Sequence, residues 1–197
     1  MGSLFSSPTK EPDLAPKSRP LKKVIFIGPL KVGKSSLLAR FAHDVFTDDI
    51  PPTQGVDLVQ VNLPYYEDTR LRIWDCCGKE RYWYLVPTFT RDARVVVAVY
   101  DVTSRASFEE VLCRIKSHAE LVRNPEQTRY VLVGNKVDRE EMREVEREIG
   151  EDVATRMGYE FLETSAKGGM GVKELFETAG KIVAGDDVEG SQSAIEL

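Results

Sequence analysis

The sequence predicts an α/β fold: a mainly parallel, doubly wound sheet with one antiparallel edge strand and helices on both faces. Three observations carry that prediction. Short runs that are apolar throughout, such as Val24-Ile25-Phe26-Ile27 and Val95-Val96-Val97-Ala98-Val99, alternate with amphipathic stretches of helical period. Strands of that kind are covered on both faces, and the helical stretches between them supply the cover. Two further strand-like segments, Val56 to Leu63 and Leu71 to Trp74, are joined by a short acidic loop and read as an edge hairpin. Finally, a glycine-bearing turn follows the first apolar run directly and opens a helix, as at the head of a β-turn-α unit.

In chain order, Pro8, Pro12, Pro16 and Pro20 stand among Ser, Lys, Asp and Glu, so residues 1–20 form an extended, Pro-rich arm with no helix or sheet pattern. The strand Val24 to Ile27 and a helix over Lys34 to His43 come next, then the hairpin. They are followed by the strand Val95 to Val99, a helix over Phe108 to Val122 and the strand Tyr130 to Val133. A helix over Val145 to Met157, the short strand Phe161-Leu162 and a helix over Val172 to Val183 complete the fold. From Gly185 the chain is rich in Gly, Ser and acids without an apolar period, which predicts a flexible acidic tail. The expected organisation is an arm (1–20), one domain (21–184) and a tail (185–197), with no internal repeat.

Bulk composition narrows the function. The 197 residues suit one domain with short tails, and with 42% hydrophobic and 30% charged residues no segment approaches the roughly 18 uncharged apolar residues of a membrane span. Lys+Arg 27 against Asp+Glu 32 gives a net charge of −5, which offers no global field for nucleic acid. The three cysteines, two of them adjacent at Cys76 and Cys77, make neither a disulfide framework nor a metal-ligand set and suit a reducing, cytosolic setting. Met1-Gly2-Ser3-Leu4-Phe5 lacks the basic and apolar regions of a secretory signal.

The turn after the first strand, Gly28-Pro29-Leu30-Lys31-Val32-Gly33-Lys34-Ser35, fits the phosphate-binding pattern G-x-x-x-x-G-K-[ST] of P-loop NTPases. Its backbone N–H groups, the positive helix end and the Lys34 ammonium would surround the β- and γ-phosphates, with Lys31, Val32, Gly33, Ser35 and Ser36 bordering them. The Ser35 hydroxyl would reach Mg²⁺. Asp75 closes the third strand at 75 − 34 = 41 residues after Lys34, where a carboxylate can face the same metal, and the Gly78 amide can approach the γ-phosphate. Thr53, at 53 − 34 = 19 residues after Lys34 in a Pro-punctuated loop, can give the metal a second hydroxyl. To this point ATP and GTP fit equally.

The base is chosen further on. Asn135-Lys136-Val137-Asp138 follows an apolar strand at its C-terminal end, where doubly wound sheets bind ligands. The Asp138 carboxylate can accept from both N1–H and the 2-amino group of guanine, and adenine would leave that acid unpaired. Glu163-Thr164-Ser165-Ala166-Lys167, after the last strand, can turn a backbone N–H from Ser165, Ala166 or Lys167 to the 6-oxo group. The pair disfavours an ATPase or kinase.

These motifs together resemble the Ras-like small GTPases, and Val99-Tyr100-Asp101-Val102-Thr103 with Trp74-Asp75 and Glu80-Arg81-Tyr82 is most similar to the Rab family. The likeness runs from about Leu21 to Val183. It implies the small G-protein fold of about six strands, binding of GTP/GDP with Mg²⁺, and a GTPase switch in vesicle or membrane trafficking. It also implies that Thr53 lies in the first switch loop, that Gly78 anchors the second and that Phe46 stacks on the base. Leu58, Trp74 and Phe89 would form the apolar patch that meets effectors, alongside an exchange factor and a GTPase-activating protein, with the chain a monomer.

Departures from the family bear on the chemistry. Where it carries Asp-Thr-Ala-Gly-Gln-Glu, this chain has Asp75-Cys76-Cys77-Gly78-Lys79-Glu80, so Lys79 stands where a glutamine positions the attacking water. An ammonium cannot accept a proton from water. Leu30 and Lys31 occupy positions usually held by small residues, and Leu30 should crowd the γ-phosphate. Slow GTP hydrolysis is the expectation, and a GTP-binding interaction module with little turnover is the alternative. Cys76 and Cys77 read as small buried hydrophobes. His43 and His118 receive no role.

No cysteine follows Cys113 and the tail is acidic, so C-terminal prenylation is not expected. Met1-Gly2-Ser3-Leu4-Phe5-Ser6 fits the N-myristoylation pattern, with Gly2 as the acceptor. One such chain binds a membrane only marginally, and five basic residues against two acids in residues 1–23, a side-chain charge of 5 − 2 = +3, would help. The expected location is the cytoplasm, peripherally on the cytosolic face of an internal membrane.

Overall fold

Valine, alanine and tyrosine side chains fill β4 (Val95–Asp101), in which every residue is buried, and this strand stands inside a six-stranded sheet. The computed structural model describes residues 21–48, 50–63, 69–79, 92–122 and 125–192. Around β4 lie β1 (Lys22–Ile27), β2 (Val56–Leu63), β3 (Thr69–Cys76), β5 (Arg129–Asn135) and β6 (Glu160–Thr164), in the spatial order β2-β3-β1-β4-β5-β6. Only β2 and β3 pair antiparallel, with Leu58 opposite Trp74; the other neighbours are parallel.

Among the described residues four helices cover the faces: α1 (Lys34–His43), α2 (Arg105–Leu121), α3 (Arg147–Met157) and α4 (Val172–Gln192). Alternation along β1 sorts the core. Val24 and Phe26 join the cluster beneath α1 and α4, while Ile25 and Ile27 join the one that holds Tyr100, Phe108 and Ile115 on the other side. On the first face the Phe41 and Phe176 rings stack at 3.8 Å between centroids, locking α1 to α4.

The elements differ from the sequence expectation mainly at their ends. Ser104 caps α2 by accepting from the Ser107 N–H, so the helix starts before its first large apolar residue, Phe108. Val145 is held out of α3 by its N–H bond to Val102 O. The 3₁₀ turns at Pro125–Gln127 and at Val137–Met142, the latter broken by a kink at Arg139, carry no apolar period that would announce them. The flexible tail expected from Gly185 is corrected in part: α4 continues through Gln192. The apolar period fails after Val183, yet no proline interrupts the backbone ladder before Gln192. Among the described residues no helix is long and apolar enough to cross a membrane.

Candidate nucleotide site

Strand order fixes where a ligand can sit. From β1 the chain passes to β3 on one side of the sheet and to β4 on the other, so a crevice opens at the C-terminal end of β1. The loop Gly28 to Gly33 occupies it. Gly33 ends the loop at φ 97°, and a Cβ there would lie 2.3 Å from Asn135 Nδ2, so only glycine lets the loop pass.

Asn135 is 1% exposed and binds protein with its whole side chain. Its Nδ2 donates to Val32 O at 2.8 Å, and its Oδ1 accepts from Thr164 Oγ1 at 3.1 Å and Ala166 N at 3.3 Å. It therefore stitches the phosphate loop to both base-side loops. Ser165 Oγ donates to Asp138 Oδ1 at 2.6 Å and accepts from Gly168 N at 2.8 Å, which orients the exposed Asp138 carboxylate. Lys136, at φ 72°, pairs with Asp101 at 2.6 Å. Below these loops Arg143 pairs with Glu163 at 2.7 Å, both nearly buried.

The phosphate half is built from charge. Lys34 is 6% exposed, and its ammonium donates to Gly28 O at 3.0 Å and Pro29 O at 2.9 Å. Burial pushes its pKa down to about 8, against the pull of the Asp75 carboxylate. Ser35 Oγ donates to Asp75 Oδ2, Thr53 Oγ1 lies 3.0 Å from Ser35 Oγ, and Thr53 lies 3.4 Å from the same Asp75 oxygen. Burial raises the Asp75 pKa although the Ser35 hydrogen bond opposes it, and Asp75 Oδ1 is buried with no hydrogen-bond partner. Two hydroxyls and a half-orphaned carboxylate form an all-oxygen donor set, which fits a hard divalent cation such as Mg²⁺.

Base-side and phosphate-side residues face one cavity of about 530 Å³. Its walls bring together Lys31, Gly33, Lys34, Ser35, Ser36, Phe46, Thr53, Gly78, Asn135, Lys136, Asp138, Ala166 and Lys167. Val32, Asp75 and Ser165 stand directly behind the wall through the bonds already given. Lys79 does not line it. Half-buried, it lines a neighbouring open cavity of about 710 Å³, and Leu30 and Gly78 border both. Leu58, half-exposed, faces its cross-strand neighbour Trp74 on the hairpin. Phe89 and Gly2 lie outside the described residues.

Three arginines were missed by the motif reading. Arg40 donates from Nε to Ala166 O and from Nη2 to Lys167 O, both at 2.9 Å, fixing the last loop from α1. Arg139 lines the cavity beside Asp138. Arg114, 5% exposed on α2, reaches the phosphate loop. One signal marked it: spacing from Val111 to Ile115 and His118 puts it on the buried helical stripe. His118 is a core histidine, with Nδ1 2.9 Å from Tyr130 Oη and its pKa lowered by burial to about 4. Cys76 is buried, and its thiol is pushed up to about 12, which leaves no thiolate for redox chemistry at neutral pH. Comparison with known families places the match over this same fold: the model of the Ras family matches residues 23–184.

Proposed function

Because the chain belongs to the Ras family, and is thus a small GTPase of the GTP/GDP switch class, we propose that it is a Rab-like switch in membrane trafficking with slow GTP hydrolysis. The observation that carries the reading is the shared cavity, where a guanine-selective carboxylate, Asp138, and a phosphate-binding lysine, Lys34, line one wall system. In this reading Phe46 packs on the base, Lys136 and Ala166 border it, and the backbone from Lys31 to Ser36 receives the phosphates. Ser35, Thr53 and Asp75 are the residues that would hold Mg²⁺, which would supply charge to neutralise the phosphates. On binding, the Lys34 ammonium would exchange two carbonyls for phosphate oxygens, whose negative charge would oppose the lowering of its pKa by burial.

Lys79 supports slow turnover, since its ammonium cannot accept a proton from water and its side chain lines the adjacent cavity. Leu30 borders both cavities and fills space beside the phosphate loop. These two residues also favour the second reading, a GTP-loaded interaction module with little hydrolysis. The exposed Leu58 beside Trp74 supports an effector surface on the hairpin, with Phe89 proposed as its third member. Residues 21–184 are proposed as the GTPase domain, flanked by the arm and the tail. Gly2 is proposed as the acyl acceptor that holds the protein peripherally on the cytosolic face of an internal membrane, for which Gly2→Ala should move it to the soluble fraction. Unaltered partition on fractionation would rule the anchor out.

The test of the whole reading is competition: GTP and GDP should displace a labelled guanine nucleotide from the purified protein, and ATP should not. Single-turnover hydrolysis on GTP-loaded protein then separates the slow enzyme from the non-hydrolysing module.

A further inference from the structure

Arg114 ties α2 to two distant loops. Its Nη1 donates to Gly28 O at 3.0 Å, 86 residues away in the phosphate loop, and its Nη2 donates to Gly78 O at 2.8 Å. Glu110, one turn earlier and about half exposed, accepts from Arg114 Nε at 3.0 Å and pairs with its Nη2. Thus one buried guanidinium holds two loops that the family reading assigns to the phosphates. Gly78 is correspondingly tight: a Cβ there would lie 2.5 Å from Pro29 O and 2.5 Å from Leu30 N.

Gly28 O has two donors, Arg114 and Lys34. Were Lys34 to turn to a phosphate, a buried carbonyl would lose its partner unless a second donor stays. Arg114 is that donor. The guanidinium fork also holds Gly78 O at the same time, through a second nitrogen fixed in the same plane. Every partner in this tether belongs to the chain, so it holds the Gly78 loop against Pro29 and Leu30 whatever the phosphate number.

We propose that Arg114 is a positioning residue that pre-closes the Gly78 loop onto the phosphate loop, so that γ-phosphate contact demands little loop ordering and the loop stays closed with GDP. This rests on the nucleotide reading of the cavity. A ligand that needs the closed loop gains from a tether that has already closed it, whereas a ligand that ignores the loop does not. GTP belongs to the first kind and GDP to the second.

The experiment measures affinities of full-length wild type, Arg114→Met and Arg114→Lys for GDP and a non-hydrolysable GTP analogue, with Mg²⁺. Loss of the charged bonds should weaken the GTP analogue about tenfold relative to GDP in Arg114→Met, with partial recovery in Arg114→Lys. A destabilised fold would lower both affinities alike, and equal losses or none overturn the proposal. Should Arg114→Met not fold, Glu110→Gln loosens the same tether from its exposed end and should shift the ratio in the same direction. An unchanged ratio there overturns it equally. On the wild type alone, amide exchange over residues 76–79 should be alike with GDP and with the analogue, and a tenfold rise with GDP would overturn pre-closure. If wild type binds neither nucleotide, the reading of the cavity fails and this role with it. Selective guanine binding with equal losses in the variants removes Arg114's role alone.

Discussion

The base half and the phosphate half of the cavity are built on opposite principles. On the base side Asn135, Thr164, Ser165 and Asp138 answer one another with neutral or singly charged hydrogen bonds, and Arg143 pairs with Glu163 beneath them. On the phosphate side Lys34 leans on carbonyls, and Asp75 keeps one oxygen with no hydrogen-bond partner while two hydroxyls crowd the other. The first half is complete as protein. In the second, buried charges await a counter-charge, so ligand binding should tighten the phosphate side and leave the base side nearly as it is.

Replacing Asp138 tests the completed half most severely. Asp138→Ala should weaken GTP binding by at least about a hundredfold, as two donors of the base lose a charged acceptor, while the melting temperature barely moves because Asp138 is exposed. A calorimetric titration with unchanged affinity would remove guanine from the reading. On the other side Ser35→Asn should disturb the metal donors and turn the chain towards GDP, by about tenfold in the ratio of affinities. Equal affinities for both nucleotides with Mg²⁺ present would move the metal elsewhere.

A pH experiment sharpens the contrast without any ligand. The Lys34 pKa falls from 10.5 to about 8 on folding, so the unfolded chain binds more protons between those values and stability should rise with pH across that window. The Asp75 pKa is raised, so its contribution runs the other way: stability is lost as pH rises from the unfolded value of 3.8 to the folded one. Each buried charge therefore costs stability at neutral pH. Melting curves of nucleotide-stripped wild type and Lys34→Met between pH 8 and 10 should differ in slope, by up to about 3 kcal/mol across the window. Parallel slopes would mean that Lys34 is not buried as a cation. Smallest is the effect of Lys79→Gln, which should raise single-turnover hydrolysis severalfold, and further when combined with Leu30→Gly. Were wild type the fastest of the three, Lys79 would itself be catalytic.

The same division marks what the sequence made legible. Apolar runs such as Val95 to Val99 identify buried strands because a strand covered on both faces needs them, and the hairpin pairing of Val56–Leu63 with β3 follows from alternation and a short connection. Motifs exposed Lys34, Asp75 and Asp138, whose side chains have chemistry of their own. They did not expose Arg40 or Arg114, because these act on backbone carbonyls 126 and 86 residues away, and a carbonyl has no residue type to recognise. Lys79 shows the converse limit: the motif identifies its position after Gly78, and only the fold shows that its side chain lines the neighbouring cavity. Helix ends such as Gln192 were hidden too, since a helix can outrun its apolar stripe.

The outermost strand has a consequence for handling and for crowding in solution. Among the described residues β2 ends the sheet, so one side of its backbone is a template on which another copy could stack and grow into fibres. Asp57, Gln60 and Asn62 are exposed along it with the apolar Leu58, and the Asp57 charge, repeated from copy to copy, makes strand-to-strand stacking costly. A chain in which those three become valine should precipitate at concentrations where the parent stays clear, with its nucleotide cavity untouched.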